Sequence, residues 1–260
     1  KDDTAMIAYM PGAGKTLTAI VAVVKRLQLG LSSKAVIVVP KNVLGQWQDT
    51  FYELYPRFAD WLLPGSDRAF DAANRRRFLL QAACGGAKII LLTYEQFRSI
   101  SLQPETFRAY LRREVLDLER ALIGTAEDDP AQRGLQRAFK QREKALADFE
   151  AKYEDKWKKV QKAGESDLSW EKWGVDLLCV DEFHSFKSDI VLTKMQGVSG
   201  LPRGESQRAF DMRVKLHYVT TPELFVGLDP RDGGKVVALT GTPVTNSLAE
   251  TWIMLRHLQP

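Results

Sequence analysis

The chain has 260 residues, 45% of them hydrophobic and 27% charged, the balance of a soluble globular protein with room for one large domain or two small ones. Its net charge of +4 and pI near 9.0 permit a nucleic-acid partner without pointing to one, since an ordinary basic surface gives the same figures. No apolar run approaches the roughly 18 residues of a membrane span and no signal peptide is visible, so no membrane partner is expected. Cys84 and Cys179 lie far apart, without metal or redox spacing, and read as the reduced structural thiols of a cytoplasmic protein.

Residues 4–9 read as a short buried strand. Residues 15–29 read as a helix with Leu17, Ile20, Val21, Val24 and Leu27 on one face and Gly30 as its stop. Ala35-Val36-Ile37-Val38-Val39, ended by Pro40, is the continuous β-branched run of a parallel strand covered on both faces. Asn42 can cap the following helix, which carries Trp47 and Phe51. A short strand is expected at residues 60–63. A helix started by Ser66 or Asp67 would carry Arg75-Arg76-Arg77 and stop at Gly85-Gly86, and Lys88-Ile89-Ile90-Leu91-Leu92 is another buried strand. This alternation predicts an α/β fold with a doubly wound parallel sheet.

The pattern changes over residues 103–164, which have few glycines and no strand runs. Phe107, Leu111, Val115, Leu118 and Leu122 follow helical spacing. After Asp128-Asp129-Pro130, so do Leu135, Phe139, Arg142, Leu146, Phe149 and Tyr153, which predicts an inserted antiparallel helical hairpin. Its second arm is rich in Lys and Arg, and reads either as a solvated helix face or as a prong touching DNA backbone or a partner. The α/β pattern resumes over residues 165–260, with strands at residues 175–180 and 235–239 and a last helix at residues 247–258.

Several of these strands run into polar residues. Parallel strands deliver their C-terminal ends to one edge of the sheet, where ligands bind. Gly12-Ala13-Gly14-Lys15-Thr16-Leu17, between a strand and a helix, is the layout of a phosphate-cradling loop: helix-start N–H groups face an anion, Lys15 reaches terminal phosphates and the Thr16 hydroxyl can hold Mg. Tyr9 stands where the full Gly-x4-Gly-Lys-Thr pattern has its first glycine. Asp181-Glu182, at the end of an apolar strand, suits a metal-holding carboxylate followed by one that orients and deprotonates a water. Thr240-Gly241-Thr242 ends the last strand.

Taken in order, Gly12–Thr16, Val38-Val39-Pro40 with Gln46-Trp47, Thr93-Tyr94, Asp181-Glu182-Phe183-His184 and Leu239-Thr240-Gly241-Thr242-Pro243 resemble the motifs of superfamily-two helicases. Pro40-x6-Trp47, His184-x-x-Lys187 and Thr240-Gly241-Thr242-Pro243-x-x-Asn246-Ser247-Leu248-x-Glu250-x-Trp252 look like the Swi/Snf-type branch of duplex-DNA translocases. Phe186-Lys187 and residues 206–211 are similar to helicase domains within very large phage and plasmid proteins. The resemblance implies a RecA-like P-loop NTPase lobe that binds ATP and Mg, hydrolyses ATP and moves on DNA. Lys15, Asp181 and Glu182 would be catalytic, Thr16 and Asp181 would bind the metal, and His184, Thr240, Gly241 and Thr242 would couple hydrolysis to movement. Pro40, Lys41, Gln46, Trp47, Thr93 and Tyr94 would lie on segments approaching the nucleic acid. Phe183 stands where that family usually has a small residue, so its ring must find space against the sheet. The sequence starts and stops abruptly and reads as a fragment of a longer protein, and the resemblance implies a second RecA-like lobe of that longer chain as a partner. Two alternatives stay open: an RNA-directed helicase lobe, and a non-catalytic nucleotide-sensing or scaffold module using the helical prong.

Overall fold

The computed structural model describes residues 4–10, 12–123, 130–186, 207–225 and 234–242. In chain order the regular elements are β1 (Thr4–Ala8), α1 (Lys15–Gln28), β2 (Ala35–Val39), α2 (Leu44–Leu54), β3 (Leu62–Pro64), α3 (Arg75–Cys84), β4 (Ile89–Thr93), α4 (Tyr94–Ser99), α5 (Pro104–Ile123), α6 (Pro130–Lys162), β5 (Leu177–Val180), α7 (Gln207–Thr220) and β6 (Lys235–Thr240). The six strands form one sheet in the order β1-β6-β5-β2-β4-β3, and every neighbouring pair is parallel.

The apolar strands bury both faces. In β2, Ala35, Ile37 and Val39 pack on one side with Ile89, Leu91, Leu177 and Cys179, against Ile20, Val23 and Val24 of α1 and Trp47 and Phe51 of α2. Val36 and Val38 pack on the other side with Ile90, Leu92, Leu178 and Val180, against Phe78 of α3, Phe97 of α4, Trp170, Trp173 and the apolar residues of α7. Strand alternation thus feeds two cores, one per face, which is the doubly wound α/β architecture of a RecA-like lobe. Phe183 finds its space here: it is fully buried in the second core, with its ring 6.1 Å from that of Phe186.

Local differences from the sequence pattern have local causes. The buried face of α1 is Ala19, Ile20, Val23, Val24 and Leu27, whereas Leu17 is 47% exposed and Val21 only half-buried. Asn42 lies within a 3-10 turn at Lys41–Val43 rather than capping α2. The short strand pairs at Leu62–Pro64. The helix carrying Arg75–Arg77 starts at Arg75, because the Asp71 carboxylate accepts from the N–H groups of Ala73 and Asn74 and holds the preceding segment in a turn. The helix α7 carries no amphipathic signal, since buried Arg213, Lys215 and His217 alternate with buried Val214, Leu216 and Tyr218. Lys215 lies fully buried, donating to the Phe97 carbonyl at 2.6 Å and to Asp211 at 2.8 Å. The expected helix at residues 247–258 lies outside the described residues.

The helices α5 and α6 pack together, and Phe107 near the start of the first meets Tyr153 near the end of the second at 5.3 Å between ring centroids; the two therefore run antiparallel. Their base is tied to the sheet domain. The Tyr153 hydroxyl donates to the Leu102 carbonyl at 2.9 Å, the Gln103 N–H donates to Glu171 at 2.9 Å, and Arg213 of α7 pairs with Glu114 of α5 at 3.2 Å.

Candidate functional site

The loop between β1 and α1 leaves the sheet at Tyr9, whose N–H still reaches the Thr240 carbonyl of β6 at 3.2 Å. It then turns back through Ala13 N–H to the Met10 carbonyl, 3.1 Å. Gly12 and Gly14 adopt φ of 84° and 82°, the left-handed region that favours glycine. A Cβ on either would meet nothing within 4 Å, so conformation rather than crowding calls for glycine here. Gly14 caps α1 without a side-chain hydrogen bond, and no acidic residue lies in the first turn. The first turn of this 14-residue helix therefore brings no acid of its own to the positive helix end, which suits an anion. Lys15 and Thr16 are half-buried, while Gly12, Ala13, Gly14 and Leu17 face solvent.

Across the sheet, β5 delivers the acid pair. The Asp181 N–H continues the ladder to the Val38 carbonyl at 2.8 Å, and the Asp181 side chain is buried. Its Oδ1 accepts from the N–H of Glu182 at 3.0 Å. That contact supports Glu182 at φ 46°, the left-handed non-glycine residue among those described; such a conformation costs on the order of 1–3 kcal/mol and persists where the surroundings fix it. Lys15 Nζ lies 2.7 Å from Glu182 Oε1 and 3.5 Å from Asp181 Oδ1. Burial pushes the Asp181 carboxyl above the usual carboxylate range; Lys15 opposes that shift and Glu182 adds to it.

The third strand end joins the same cluster. The Nδ1 of His184 lies 3.2 Å from Glu182 Oε2, 3.3 Å from Thr240 Oγ1 and 3.4 Å from Thr242 Oγ1. Thr240 is fully buried, and its hydroxyl accepts from the Thr242 N–H at 3.1 Å, folding Gly241 into a tight bend. Because β6 lies between β1 and β5, Lys15, Glu182, His184, Thr240 and Thr242 form one hydrogen-bonded line over three adjacent strand ends.

The candidate nucleic-acid residues divide by exposure. Lys41 and Gln46 are exposed and Pro40 is half-buried. Trp47 is a core residue of α2. Thr93 is buried and caps α4 in a reciprocal pair with Gln96. Tyr94 is also buried, and its hydroxyl donates to the Asp181 carbonyl at 2.6 Å, directly beneath the acid pair. Sequence reading missed that supporting contact; nothing in the spacing of Tyr94 and Asp181 announces it.

The residues present fit a phosphate group with a divalent cation. An uncapped helix start, a half-buried ammonium and two carboxylates converge, and Thr16 and Asp181 supply the oxygen donors that Mg prefers. No group of three or more His, Cys, Asp or Glu suited to a metal occurs among the described residues. With Thr16 and Asp181 as protein ligands, a cation here would complete its shell with phosphate oxygens and water, the habit of Mg.

A family model described as a probable helicase domain matches residues 1–260. The chain is also similar to the "Defense against restriction protein B" of Escherichia phage P1, at 24% identity over 300 aligned positions. That match covers 100% of this chain but 12% of the phage protein, so the chain spans about an eighth of its relative's length.

Proposed function

The chain belongs to the probable helicase domain family, and from that premise we propose that it is the ATP-binding lobe of a DNA-dependent ATPase that couples hydrolysis to movement along duplex DNA. The observation that carries this reading is the line from Lys15 through Glu182 and His184 to Thr240 and Thr242. It joins a phosphate-type loop, an acid pair and a third strand end in one network.

In this reading the N–H groups at the start of α1 and the Lys15 ammonium hold the β- and γ-phosphates of ATP. Thr16 and Asp181 would hold Mg, which would supply charge neutralisation on the phosphates. Lys15 then exchanges its 2.7 Å contact with Glu182 for a phosphate oxygen. That frees Glu182 Oε1 to orient a water and accept its proton. His184 touches Glu182 through Nδ1 and the Thr240 and Thr242 hydroxyls through the same atom. A change in the partner of Glu182 is thereby passed to the end of β6. A second lobe of the longer protein would complete the site; arginines supplied that way are worth on the order of 10³ to 10⁵ in rate. The phage relative is named for defence against restriction, which favours DNA over RNA as the polymer.

Turnover of the full-length protein with and without DNA tests the reading. Stimulated ATP hydrolysis that disappears in Lys15→Ala and Glu182→Gln supports it. Turnover unchanged in those variants removes the site assignment, and absence of ATP hydrolysis by the wild type removes the enzyme.

A further inference from the structure

We propose that the outer face of α6 is a second nucleic-acid contact, distinct from the strand-end site, which grips duplex phosphates through Arg133, Arg137, Lys140 and Lys144. The inference rests on family membership, which brings a nucleic-acid partner, and not on the ATP chemistry.

The four side chains are exposed. At about 100° per residue they fall within an arc of about 60° and climb about 16 Å along the helix. No acid lies inside that arc between Arg133 and Lys144; Glu143 is about a quarter turn away. The stripe is opposite the seam against α5, where Leu135, Phe139, Leu146 and Tyr153 are half-buried. Acids flank the stripe rather than enter it, Glu143 at i+3 from Lys140 and Asp148 at i+4 from Lys144, whereas Arg113–Asp117 and Lys158–Asp155 are closed pairs elsewhere in the hairpin. Among the described residues no ion pair engages any of the four stripe cations. Like charges at i,i+4 on one helix face repel by about 0.2–0.5 kcal/mol a pair, which an anionic partner relieves.

The hairpin also holds its angle to the lobe. Tyr153 to Leu102, Gln103 to Glu171, Arg213 to Glu114 and Arg75 to Glu165 clamp its base. A stripe on a clamped arm meets its partner with its backbone already ordered, so only the side chains lose freedom, which suits a rigid polyanion better than a single charge. Over about 16 Å a duplex presents roughly ten phosphates, so four cations can each find one.

The probe is a mixed-sequence DNA duplex, and the readout is the salt dependence of its affinity for the full-length protein. Each phosphate contact contributes about 0.9 to the slope of log K against log salt. Arg133→Gln, Arg137→Gln, Lys140→Gln and Lys144→Gln together keep good helix formers at exposed positions. They are expected to flatten the slope by about 2 to 4, while Lys140→Arg with Lys144→Arg keeps it. The wild type's loss of affinity between about 50 and about 200 mM salt should shrink by roughly 3.5-fold per contact removed. As a control, Arg113→Gln with Arg120→Gln on α5 leaves the slope in place. A slope equal to wild type in the fourfold variant, with unchanged thermal unfolding, overturns the proposal, and the stripe then serves an acidic protein or solvent. Failure of the wild type to bind the duplex at low salt overturns it too. A failed ATPase reading shows instead as absence of ATP hydrolysis by the wild type, a result independent of the slope.

Discussion

Lys15 and Glu182 are separated by 167 positions in sequence, yet their charged atoms meet at 2.7 Å, with Asp181 Oδ1 a further contact at 3.5 Å. One ammonium thus compensates two adjacent carboxylates, and removing it leaves like charges side by side. Lys15→Ala is expected to destabilise the chain measured without nucleotide by about 1–3 kcal/mol at neutral pH. That is below the figure for a fully buried pair because Glu182 is a third exposed. The deficit shrinks as the pH falls and the carboxylates protonate. Thermal unfolding at neutral and acidic pH checks it; equal losses at both would mean that Lys15 stabilises by packing rather than by charge.

Asp181 gives a pH dependence of definite sign. Its carboxyl is pushed above the ordinary value of 3.8, by burial first and by Glu182, against the opposing Lys15 charge. The folded chain therefore holds the proton more tightly than the unfolded chain does. Stability contributed by the neutral acid is present below 3.8 and is lost as the pH rises through the raised value. Asp181→Asn removes the buried charge while its amide oxygen can still accept from the Glu182 N–H. At neutral pH it should stabilise the chain without nucleotide by about 1 kcal/mol, or about 2–4 °C in Tm for a domain of this size. That gain should vanish in acid, and the variant should lose its Mg-dependent response to nucleotide. A lower Tm at neutral pH would show that the pair with Lys15 outweighs desolvation.

Much of this architecture is legible in the chain because its strands are buried on both faces. Ala35–Val39 needs no partner to be recognised, and the polar residues that follow Val180 and Leu239 mark the edge where the candidate site lies. What the sequence hides is context. The 3.6-residue pattern of α1 leaves open which arc faces the sheet, and Leu17 falls on the wrong side of that choice. In α7, Arg213, Lys215 and His217 alternate with apolar residues at the period of a strand. The helix is enclosed by α4, α5 and the sheet, so charged side chains find partners inside: Lys215 meets Asp211 and the Phe97 carbonyl. Phe183 reads as a steric problem only until the second core supplies the volume.

Tyr94 separates support of the acids from contact with nucleic acid. Its hydroxyl donates to the Asp181 carbonyl at 2.6 Å and lies 3.4 Å from that of Glu182, and the side chain is buried. Tyr94→Phe keeps the ring and leaves a buried carbonyl without this donor, costing about 1–2 kcal/mol of stability. Turnover of the full-length protein should fall several-fold through kcat, with KM for ATP and the salt dependence of DNA affinity unchanged. A changed salt dependence with unchanged kcat would place Tyr94 at the nucleic acid instead.

His184 is the joint between the acid pair and β6. One ring nitrogen lies within 3.4 Å of Glu182, Thr240 and Thr242 oxygens, so it can serve only some of them at once. A change at Glu182 therefore alters what Thr240 and Thr242 receive. Thr240 is fully buried and its carbonyl is held by the Tyr9 N–H, ahead of the phosphate-type loop, so the line closes back on β1. His184→Ala removes the joint without touching Lys15, Thr16 or Asp181. Nucleotide affinity and DNA affinity should each stay within about twofold of wild type. The stimulation of turnover by DNA should drop by about tenfold or more, the scale of 1.4 kcal/mol in coupling between two sites. Thr240→Val should repeat the loss in part, because it removes the buried hydroxyl while keeping the β-branched shape. Full stimulation in His184→Ala would show that the contacts around Nδ1 are structural and that coupling runs through another part of the lobe.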